Sequence, residues 1–311
     1  MNLAEAIILT IITSSTPFVL AAIGELVVER AGVLNLGVEG MMIMGTIAGF
    51  ATAYMTDSAI LGFIAAILAG MIFSSLFALM TLGLAANQVA SGLALTILGL
   101  GLSDLLGTNF VGLNRPKIPS LHIPGLSDIP LLGPIAFGQD ALVYISIALV
   151  AAVWWFLYRS RGGLILRSVG ESHASAHALG YPVRLIRFGA VLFGGGCSGL
   201  AGAYLSLADT PFWGTGMTAG RGWIALALVV FASWRPWRLL IGAYFFGAIW
   251  IGNLHMQALG GSLPSWLVWP PQFWTALPYL ATVIVLVMIS RGTGRGGAAP
   301  ASLGTPFVPD R

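Results

Sequence analysis

The chain has 311 residues, of which 57% are hydrophobic and only 8% are Asp, Glu, Lys or Arg, and its mean hydropathy is +0.91. Water-soluble domains carry roughly 25% charged residues, so this composition excludes a soluble globular fold. The net charge of +3 is not accompanied by a motif of interleaved aromatic and basic residues, and we expect no nucleic-acid partner.

Stretches without charged residues mark the predicted elements in chain order. Their apolar runs are continuous rather than alternating, which is typical of helices, and a helix needs about 20 residues to cross roughly 30 Å of hydrocarbon. The sequence therefore predicts an all-α integral membrane protein, a polytopic bundle of about nine (8–10) transmembrane helices. The predicted spans lie near residues 5–27, 35–55, 59–82, 86–107, 141–158, 187–207, 221–234, 238–257 and 275–290. The seventh of these is short, and we expect it to be broken or tilted.

Arginine residues cluster between a few of the predicted spans. Arg159, Arg161, Arg167, Arg184 and Arg187 fall between the fifth and sixth spans, and further arginines follow the seventh span and the last one. Loops rich in Lys and Arg are typical of the cytoplasmic side of a membrane. The sequence therefore predicts an N-out/C-in topology. The first span lacks a positive N-terminal region, so we expect it to be retained rather than cleaved as a signal peptide.

The predicted organisation is one membrane domain, residues 1–290, followed by a flexible cytoplasmic tail, residues 291–311, which is rich in Gly, Ala and Pro. The chain contains no nucleotide-binding loop and no recognisable catalytic or metal-binding motif. His173 and His177 are expected on a solvated helix face rather than as metal ligands, and Cys197 is expected to be a buried structural thiol. We therefore expect no cofactor, no metal and no catalytic residue in this chain.

Two carboxylates fall inside predicted spans. A charged side chain at the bilayer centre costs at least about 2.5–3.5 kcal/mol, so each must either be functional or lie near an interface. Asp104 is close to the outer end of its span, and we favour an interfacial position for it. Glu39 lies about one turn inside the cytoplasmic end of the second span, and we favour a structural role for it.

The stretch 29–42, with the sequence ERAGVLNLGVEGMM, carries the first resemblance to a known family. Its glycines permit a bend and close contacts between helices, while Asn35 and Glu39, four residues apart, share one helix face. The stretch closely resembles a signature of bacterial ABC importer permeases for ribose-like sugars, nucleosides and branched-chain amino acids. It fits an irregular, polar-lined element beside a transport pathway.

The stretch 163–181, with the sequence GLILRSVGESHASAHALGY, resembles the coupling segment of the same permeases and lies within the Arg-rich loop 159–187. In that family the segment forms a short helix that docks on a separate ATP-binding subunit. The resemblance implies that coupling here involves Arg167, Gly170, Glu171, Ser172, Ala174 and Gly180.

The residues of this coupling segment also predict a helix on their own. Glu171 and Ser172 can begin it, the alanines that follow favour it, and Gly180 stops it. The segment departs from the family at two positions, because His173 stands where a proline is expected and Tyr181 where an aliphatic residue is expected.

Two further stretches agree with the resemblance, NQVASGLAL at 87–95 and GRGWIALA at 220–227, which open the fourth and seventh spans. Their loose similarity, on spans of opposite direction, suggests an inverted repeat of the kind that has a substrate path at the repeat interface. An aromatic face beside such a path can stack on a nucleobase. We expect the pathway to be lined by Asn35, Glu39, Gln88, Ser91 and Trp223.

Within this family the sequence most resembles the shorter of the two permeases of bacterial nucleoside importers. The resemblance implies nucleoside uptake across the bacterial cell (inner) membrane, with ATP hydrolysed on a separate subunit. The implied partners are an ATP-binding subunit, a second, different permease subunit, an extracytoplasmic substrate-binding protein and membrane lipid. A simple sugar such as ribose is the next candidate substrate, and a branched-chain amino acid is the last.

Two alternatives from other classes are weaker. An ion-coupled secondary transporter would use intramembrane carboxylates to bind protons or sodium, and the sequence offers few of them. An intramembrane enzyme would need a cluster of polar catalytic residues at one depth of the membrane, and the sequence contains none that we can identify.

Overall fold

The computed structural model describes residues 3–121, 132–259 and 299–308, together with scattered positions between 270 and 287. These residues form helices joined by turns and loops, and two isolated bridges pair Val111 with Trp213 and Asn114 with Phe212. In chain order the helices are α1 (Leu3–Arg30), α2 (Val38–Thr56), α3 (Ala59–Ala78), α4 (Gln88–Gly107), α5 (Leu132–Phe137), α6 (Ala141–Arg159), α7 (Arg161–Glu171), α8 (His173–Ala178), α9 (Val183–Tyr204), α10 (Arg221–Phe231) and α11 (Pro236–Leu259).

Within the described part of the chain, 6 helices are long and apolar enough to cross a membrane, namely α1, α2, α3, α4, α6 and α9. π-helical turns extend α3 to Gly83 and α9 to Asp209. The chain is thus an all-helical, multi-pass membrane protein, as its composition predicted. The predicted seventh and eighth spans coincide with α10 and α11, and the ninth, 275–290, lies outside the described residues except for scattered positions.

The helices define two ends of the bundle. At one end, here called the Arg30 end, α1 finishes and Gly170 of α7 packs so closely that a Cβ atom at this glycine would overlap the Arg30 carbonyl. At the other, here called the Asp57 end, α2 gives way to α3, and an Arg115 nitrogen lies 3.4 Å from an Asp57 carboxylate oxygen. The long helices α1, α2, α3, α4, α6 and α9 run between these ends.

The glycine-rich part of α9 packs against α1, α2 and α3. A Cβ atom at Gly199 would overlap the Ala66 carbonyl of α3, and one at Gly202 would overlap the Met42 carbonyl of α2. Small residues allow such backbone contacts between membrane helices, where dispersion rather than the hydrophobic effect favours packing. Cys197 is buried in the same stretch, beside Gly24 of α1, as expected for a structural thiol.

Helix α10 is too short to cross a bilayer. Its 11 residues span about 16 Å, roughly half of the hydrocarbon thickness. The helix begins beside Glu39 of α2 and leads to Trp234 at the Arg30 end. The irregular backbone that precedes α10 is tolerated at membrane depth only where protein groups satisfy its hydrogen bonds. Residues 221–231 of the predicted seventh span thus form a helix of about half the length of a membrane crossing.

Two helices begin at residues other than those at which the predicted spans begin. Helix α9 begins at Val183 rather than at residue 187, so Arg187 lies inside the helix and is fully buried. Helix α2 begins at Val38 rather than at residue 35, because the Asn35 side chain closes a turn by accepting from the Gly37 N–H at 3.0 Å.

Part of the predicted tail makes contacts with the rest of the protein. Residues 299–308 pack on the segment that contains α7 and α8, and the Ser302 N–H donates to the Gly170 carbonyl at 2.9 Å. Phe307 is buried against the same segment. Residues 299–308 therefore contact the coupling segment through both backbone and side-chain groups.

The close approach of α9 to α3 predicts that Gly199→Val destabilises the protein much more than Gly189→Val. Both changes put the same side chain on the same helix, so their helix propensities cancel, but a Cβ atom at Gly189 meets nothing within 4 Å. The thermal stability of detergent-solubilised protein, followed by size-exclusion chromatography, measures the difference. Equal melting of the two variants would contradict the proposed packing.

Candidate substrate pathway and coupling site

Glu39 holds the beginning of α10 from the neighbouring helix α2. One carboxylate oxygen, Oε1, accepts from the Thr218 hydroxyl at 2.5 Å and from the Gly220 N–H at 2.9 Å. The other, Oε2, accepts from the Gly222 N–H at 2.7 Å. The side chain of Glu39 is only 3% exposed. A residue of one helix thus caps the N-terminus of another.

A helix that starts where water is excluded requires acceptors for its first N–H groups, and the cap supplies them. The first N–H groups of any helix lack partners within the helix, and no water is present in the hydrocarbon to satisfy them. A carboxylate at this position also interacts favourably with the helix dipole. Gly222 permits the approach, because a Cβ atom there would lie 2.6 Å from the Glu39 Cα and N atoms.

The turn between α1 and α2 is fixed by polar side chains of its neighbours. The Leu34 N–H donates to Oε1 of Gln88 at 2.8 Å, and the Asn35 N–H donates to Oε1 of Glu25 at 3.2 Å. Asn35 and Gln88 are buried, at 0% and 4% exposure. Both predicted pathway residues therefore stabilise the turn that leads into α2.

The remaining two predicted pathway residues lie in different surroundings. Ser91 is buried in the first turn of α4, next to Gly92, at which a Cβ atom would meet the Leu36 backbone nitrogen at 2.8 Å. Trp223 is 44% exposed on α10, close to the end that Glu39 caps. Four of the five predicted residues are thus buried within this chain, and Trp223 presents an indole face to the outside of it.

A second set of contacts, which the sequence did not predict, lies at the other end of α10. Oε2 of Glu29 accepts from the Trp234 indole N–H at 2.5 Å, and a guanidinium nitrogen of Arg30 donates to the Trp234 carbonyl at 3.0 Å. Trp234 has a positive φ of 55°, an uncommon conformation for a bulky residue. The i, i+4 spacing of Glu25 and Glu29 on an apolar helix was the signal that could have revealed buried carboxylates here.

The coupling segment consists of two helices rather than one. Oγ of Ser160 accepts from the Gly163 N–H at 2.9 Å and begins α7, and Oγ of Ser172 accepts from the Ser175 N–H at 3.2 Å and begins α8. Ser172 therefore begins the docking helix α8 as predicted, whereas Glu171 ends α7 and does not begin that helix, which corrects this part of the expectation. The reason is the strong N-cap preference of Ser172, which starts a new helix at the next residue.

The predicted coupling residues occupy two kinds of position on this segment. Gly170 is buried against α1, whereas Glu171, Ala174 and Gly180 are exposed. Arg167, Glu171 and Ser172 line a cleft of about 410 Å³, together with Arg30 of α1. The guanidinium of Arg167 also lies 5.0 Å from the centre of the Tyr158 ring. The segment thus presents charged and small side chains on one side and packs on α1 with the other.

The two histidines of α8 lie on a partly exposed face, where His177 is exposed and His173 is half-buried. Both rings lie 5.3 Å from the ring of Phe307, centre to centre, in edge-on contacts. In the described part of the chain, no group of three or more His, Cys, Asp or Glu side chains is arranged to hold a metal ion.

The buried cap predicts that Glu39→Ala strongly destabilises the protein. The change leaves two backbone N–H groups and one hydroxyl without their acceptor, and a hydrogen bond to a charged group contributes about 1.5–3 kcal/mol. Asp104→Ala is the matched control, because Asp104 is an exposed carboxylate on α4. We expect a lower melting temperature and a lower yield for Glu39→Ala alone. A Glu39→Ala protein as stable as Asp104→Ala would contradict the structural role of the cap.

Comparisons with known proteins agree with this architecture. The family model described as branched-chain amino acid transport system / permease component matches residues 7–289. A putative glucose ABC transporter permease protein of Haloferax volcanii is 42% identical over 302 residues, which cover 92% of each chain. A nucleoside ABC transporter permease protein of Lactococcus lactis is 32% identical and covers 93% of each chain. A guanosine ABC transporter permease protein of Bacillus subtilis is also 32% identical and covers 97% of each chain.

These matches confirm the resemblance that the stretches around Glu39 and Glu171 indicated. They extend over nearly the whole chain and include the helices that carry the cap and the coupling segment. The chain therefore belongs to the family of permease components of branched-chain amino acid transport systems, which are membrane subunits of ABC transporters.

Proposed function

We propose that this chain is a transmembrane permease subunit of an ABC importer that takes up nucleosides. The observation that carries the proposal is the family match over residues 7–289. Two of its relatives are named as permeases for nucleosides or guanosine. Neither the family nor these relatives supports the alternative of an ion-coupled secondary transporter. ATP hydrolysis would take place on a partner subunit.

A simple sugar is the second candidate substrate. The relative from Haloferax volcanii, at 42% identity, is named as a putative glucose permease. A nucleoside contains a pentose ring, so both substrate classes share a ring with several hydroxyl groups. They differ in the nucleobase, which offers a flat face for aromatic stacking.

The pathway in this proposal is flanked by Asn35, Glu39, Gln88, Ser91 and Trp223. Trp223 supports a nucleoside, because its exposed indole lies on α10 near the capped end and can stack on a base. The buried residues would act indirectly, since Glu39 fixes the start of α10 and Asn35 and Gln88 fix the turn before α2. Half-length helices that start within the membrane often border substrate sites in transporters.

The proposed partners follow from the family. An ATP-binding subunit would dock on the exposed surface of α7 and α8, with contacts from Arg167, Glu171, Ser172, Ala174 and Gly180. Gly170 would support this surface rather than touch the partner, because it is buried against the Arg30 carbonyl. A second, different permease and an extracytoplasmic substrate-binding protein would complete the importer in the cell (inner) membrane.

The proposed topology has about nine spans with the N-terminus outside and the C-terminus inside. The Arg30 end of the bundle would then face the cytoplasm, because the arginine-rich helices α7 and α8 lie there. The Asp57 end would face outward, together with the segment that follows α4.

Labelling of single cysteines tests this orientation. In a Cys197→Ser background, Pro119→Cys and Ala178→Cys are both exposed positions at opposite ends of the bundle. We expect an impermeant maleimide to label Pro119→Cys in intact cells and to label Ala178→Cys only after permeabilisation. Labelling of Ala178→Cys in intact cells would reverse the proposed orientation.

A charge reversal on the coupling surface tests the proposed function. Glu171 is exposed and outside the membrane core, so Glu171→Arg should leave expression nearly unchanged, as surface substitutions usually do. The assay uses cells that also express the partner subunits. We expect uptake of radiolabelled nucleoside to fall about tenfold or more, because the coupling free energy between two sites typically corresponds to a change of about 5–150-fold in affinity. Recovery of the ATP-binding subunit with the tagged permease should fall as well.

The control for this experiment is Asp57→Arg, a charge reversal on a side chain that is 98% exposed at the opposite end. It should not change recovery of the ATP-binding subunit.

Competition by unlabelled nucleosides, ribose and glucose in the wild-type assay then separates the two substrate classes. Normal uptake and normal subunit recovery with Glu171→Arg would contradict the proposal that α7 and α8 couple transport to ATP hydrolysis. Competition by glucose but not by nucleosides would show that the substrate is a sugar.

A further inference from the structure

A buried arginine joins three distant parts of the chain at the Arg30 end. Nε of Arg187 on α9 donates to the Ala31 carbonyl at 3.1 Å, and Nη1 donates to the Thr305 carbonyl at 3.1 Å. Nη2 lies 3.4 Å from Nδ1 of His173 on α8. The side chain of Arg187 is 0% exposed. Its partners belong to the turn after α1, to the segment 299–308 and to the coupling segment.

The contact with His173 fits the neutral form of that ring. A guanidinium can only donate, so Nδ1 of His173 accepts in this contact. Partial burial and the positive charge of Arg187 both lower the pKa of His173 below its usual value, which favours the same neutral form. A buried cation is costly unless its donors are paired, so each of these partners matters to the local structure.

The segment 299–308 also completes the break between α7 and α8. The Ser302 N–H donates to the Gly170 carbonyl at 2.9 Å, and the Ser302 hydroxyl oxygen is 3.4 Å from the His173 N–H. Carbonyl groups in the last turn of a helix and N–H groups in the first turn lack partners within the helix. One serine of the tail thus supplies a donor for the end of α7 and an acceptor for the start of α8.

Phe307 anchors the same segment by hydrophobic contact. Its side chain is 9% exposed, forms a small cluster with Val169, Ala176 and Val183, and lies between the rings of His173 and His177. The next residue, Val308, is 65% exposed.

We propose that Arg187 and the C-terminal segment 299–308 position the coupling helices, so that movement imposed on α8 is passed to α1 and α9. The inference rests on the proposed function of α7 and α8 as the docking site of an ATP-binding subunit. Helix α8 has only 6 residues and ends in an exposed loop, so its own hydrogen bonds cannot hold it in a fixed orientation. Ser302, Phe307 and the Arg187 guanidinium connect it to the membrane helices. Without these contacts, the ATP-binding subunit still binds α8, but α8 moves without displacing α1 and α9.

The test compares Phe307→Ala with Val308→Ala in the reconstituted importer with all its subunits. We expect Phe307→Ala to lower uptake about fivefold or more, the lower end of typical coupling free energies, while ATP hydrolysis stays within about twofold of the wild type. The number of ATP molecules hydrolysed per substrate imported therefore rises. Val308→Ala should match the wild type in both rates, and Phe307→Leu, which keeps an apolar side chain, should restore most of the uptake.

Hydrogen exchange provides a readout that does not depend on transport. In Phe307→Ala the amides of 173–178 should exchange faster than in the wild type and in Val308→Ala, because α8 has lost its anchor. Unchanged exchange together with an unchanged ratio of hydrolysis to uptake would overturn the inference. If Phe307→Ala does not accumulate, Ser302→Ala decides the question, since it removes one acceptor and should give the same direction of change in both measurements.

This design separates the two proposals. If Glu171→Arg abolishes uptake while Phe307→Ala behaves like Val308→Ala, the docking site stands and the positioning role of the C-terminal segment fails. If the ATP-binding subunit does not recognise α7 and α8 at all, Glu171→Arg is silent, and the proposed function fails whatever the result of hydrogen exchange.

Discussion

The cap that Glu39 places on α10 is the contact on which the centre of this protein depends. The first N–H groups of a helix lack partners within the helix, so where water is excluded another element must supply acceptors. Glu39 supplies both of its oxygens, and Gly222 allows α2 to come close enough. At the far end of α10, Glu29 and Arg30 hold Trp234. The charged residues of the stretch 29–42 are Glu29, Arg30 and Glu39. All three bond to α10 or to the residues that flank it.

Much of the helical framework could be predicted from sequence, for a physical reason. In a membrane each crossing needs about 20 apolar residues, and charges concentrate where the chain leaves the hydrocarbon, so gaps in the charge pattern mark helices. The same logic failed at Arg187, which was taken as a helix-end charge and is buried inside α9. Two of its partners are main-chain carbonyls of distant segments, and no local pattern predicts such partners.

The candidate site was predictable in part. The stretch around Glu39 indicated the turn between α1 and α2 as part of the site. It did not show that Asn35 and Gln88 would bond to backbone groups of that turn. Trp234 could not be linked to Glu29 from sequence, because the two residues are 205 positions apart in the chain. The contacts of the C-terminal segment could not be predicted either. A stretch rich in Gly, Ala and Pro lacks periodicity, and its contacts come from single residues, namely Ser302, Thr305 and Phe307.

Arg30 lies where these separate features meet. Its carbonyl oxygen is in contact with Gly170 at the end of α7, and its guanidinium donates to the Trp234 carbonyl beyond α10. The residue after it, Ala31, accepts from the buried Arg187. Packed backbone has few intermediate arrangements, so a rotation of α7 must either break the contact with Arg30 or carry the end of α1 with it. The second outcome would also pull on Trp234. The coupling segment and the capped half-length helix are therefore joined by one short run of contiguous contacts, although the chain places them far apart.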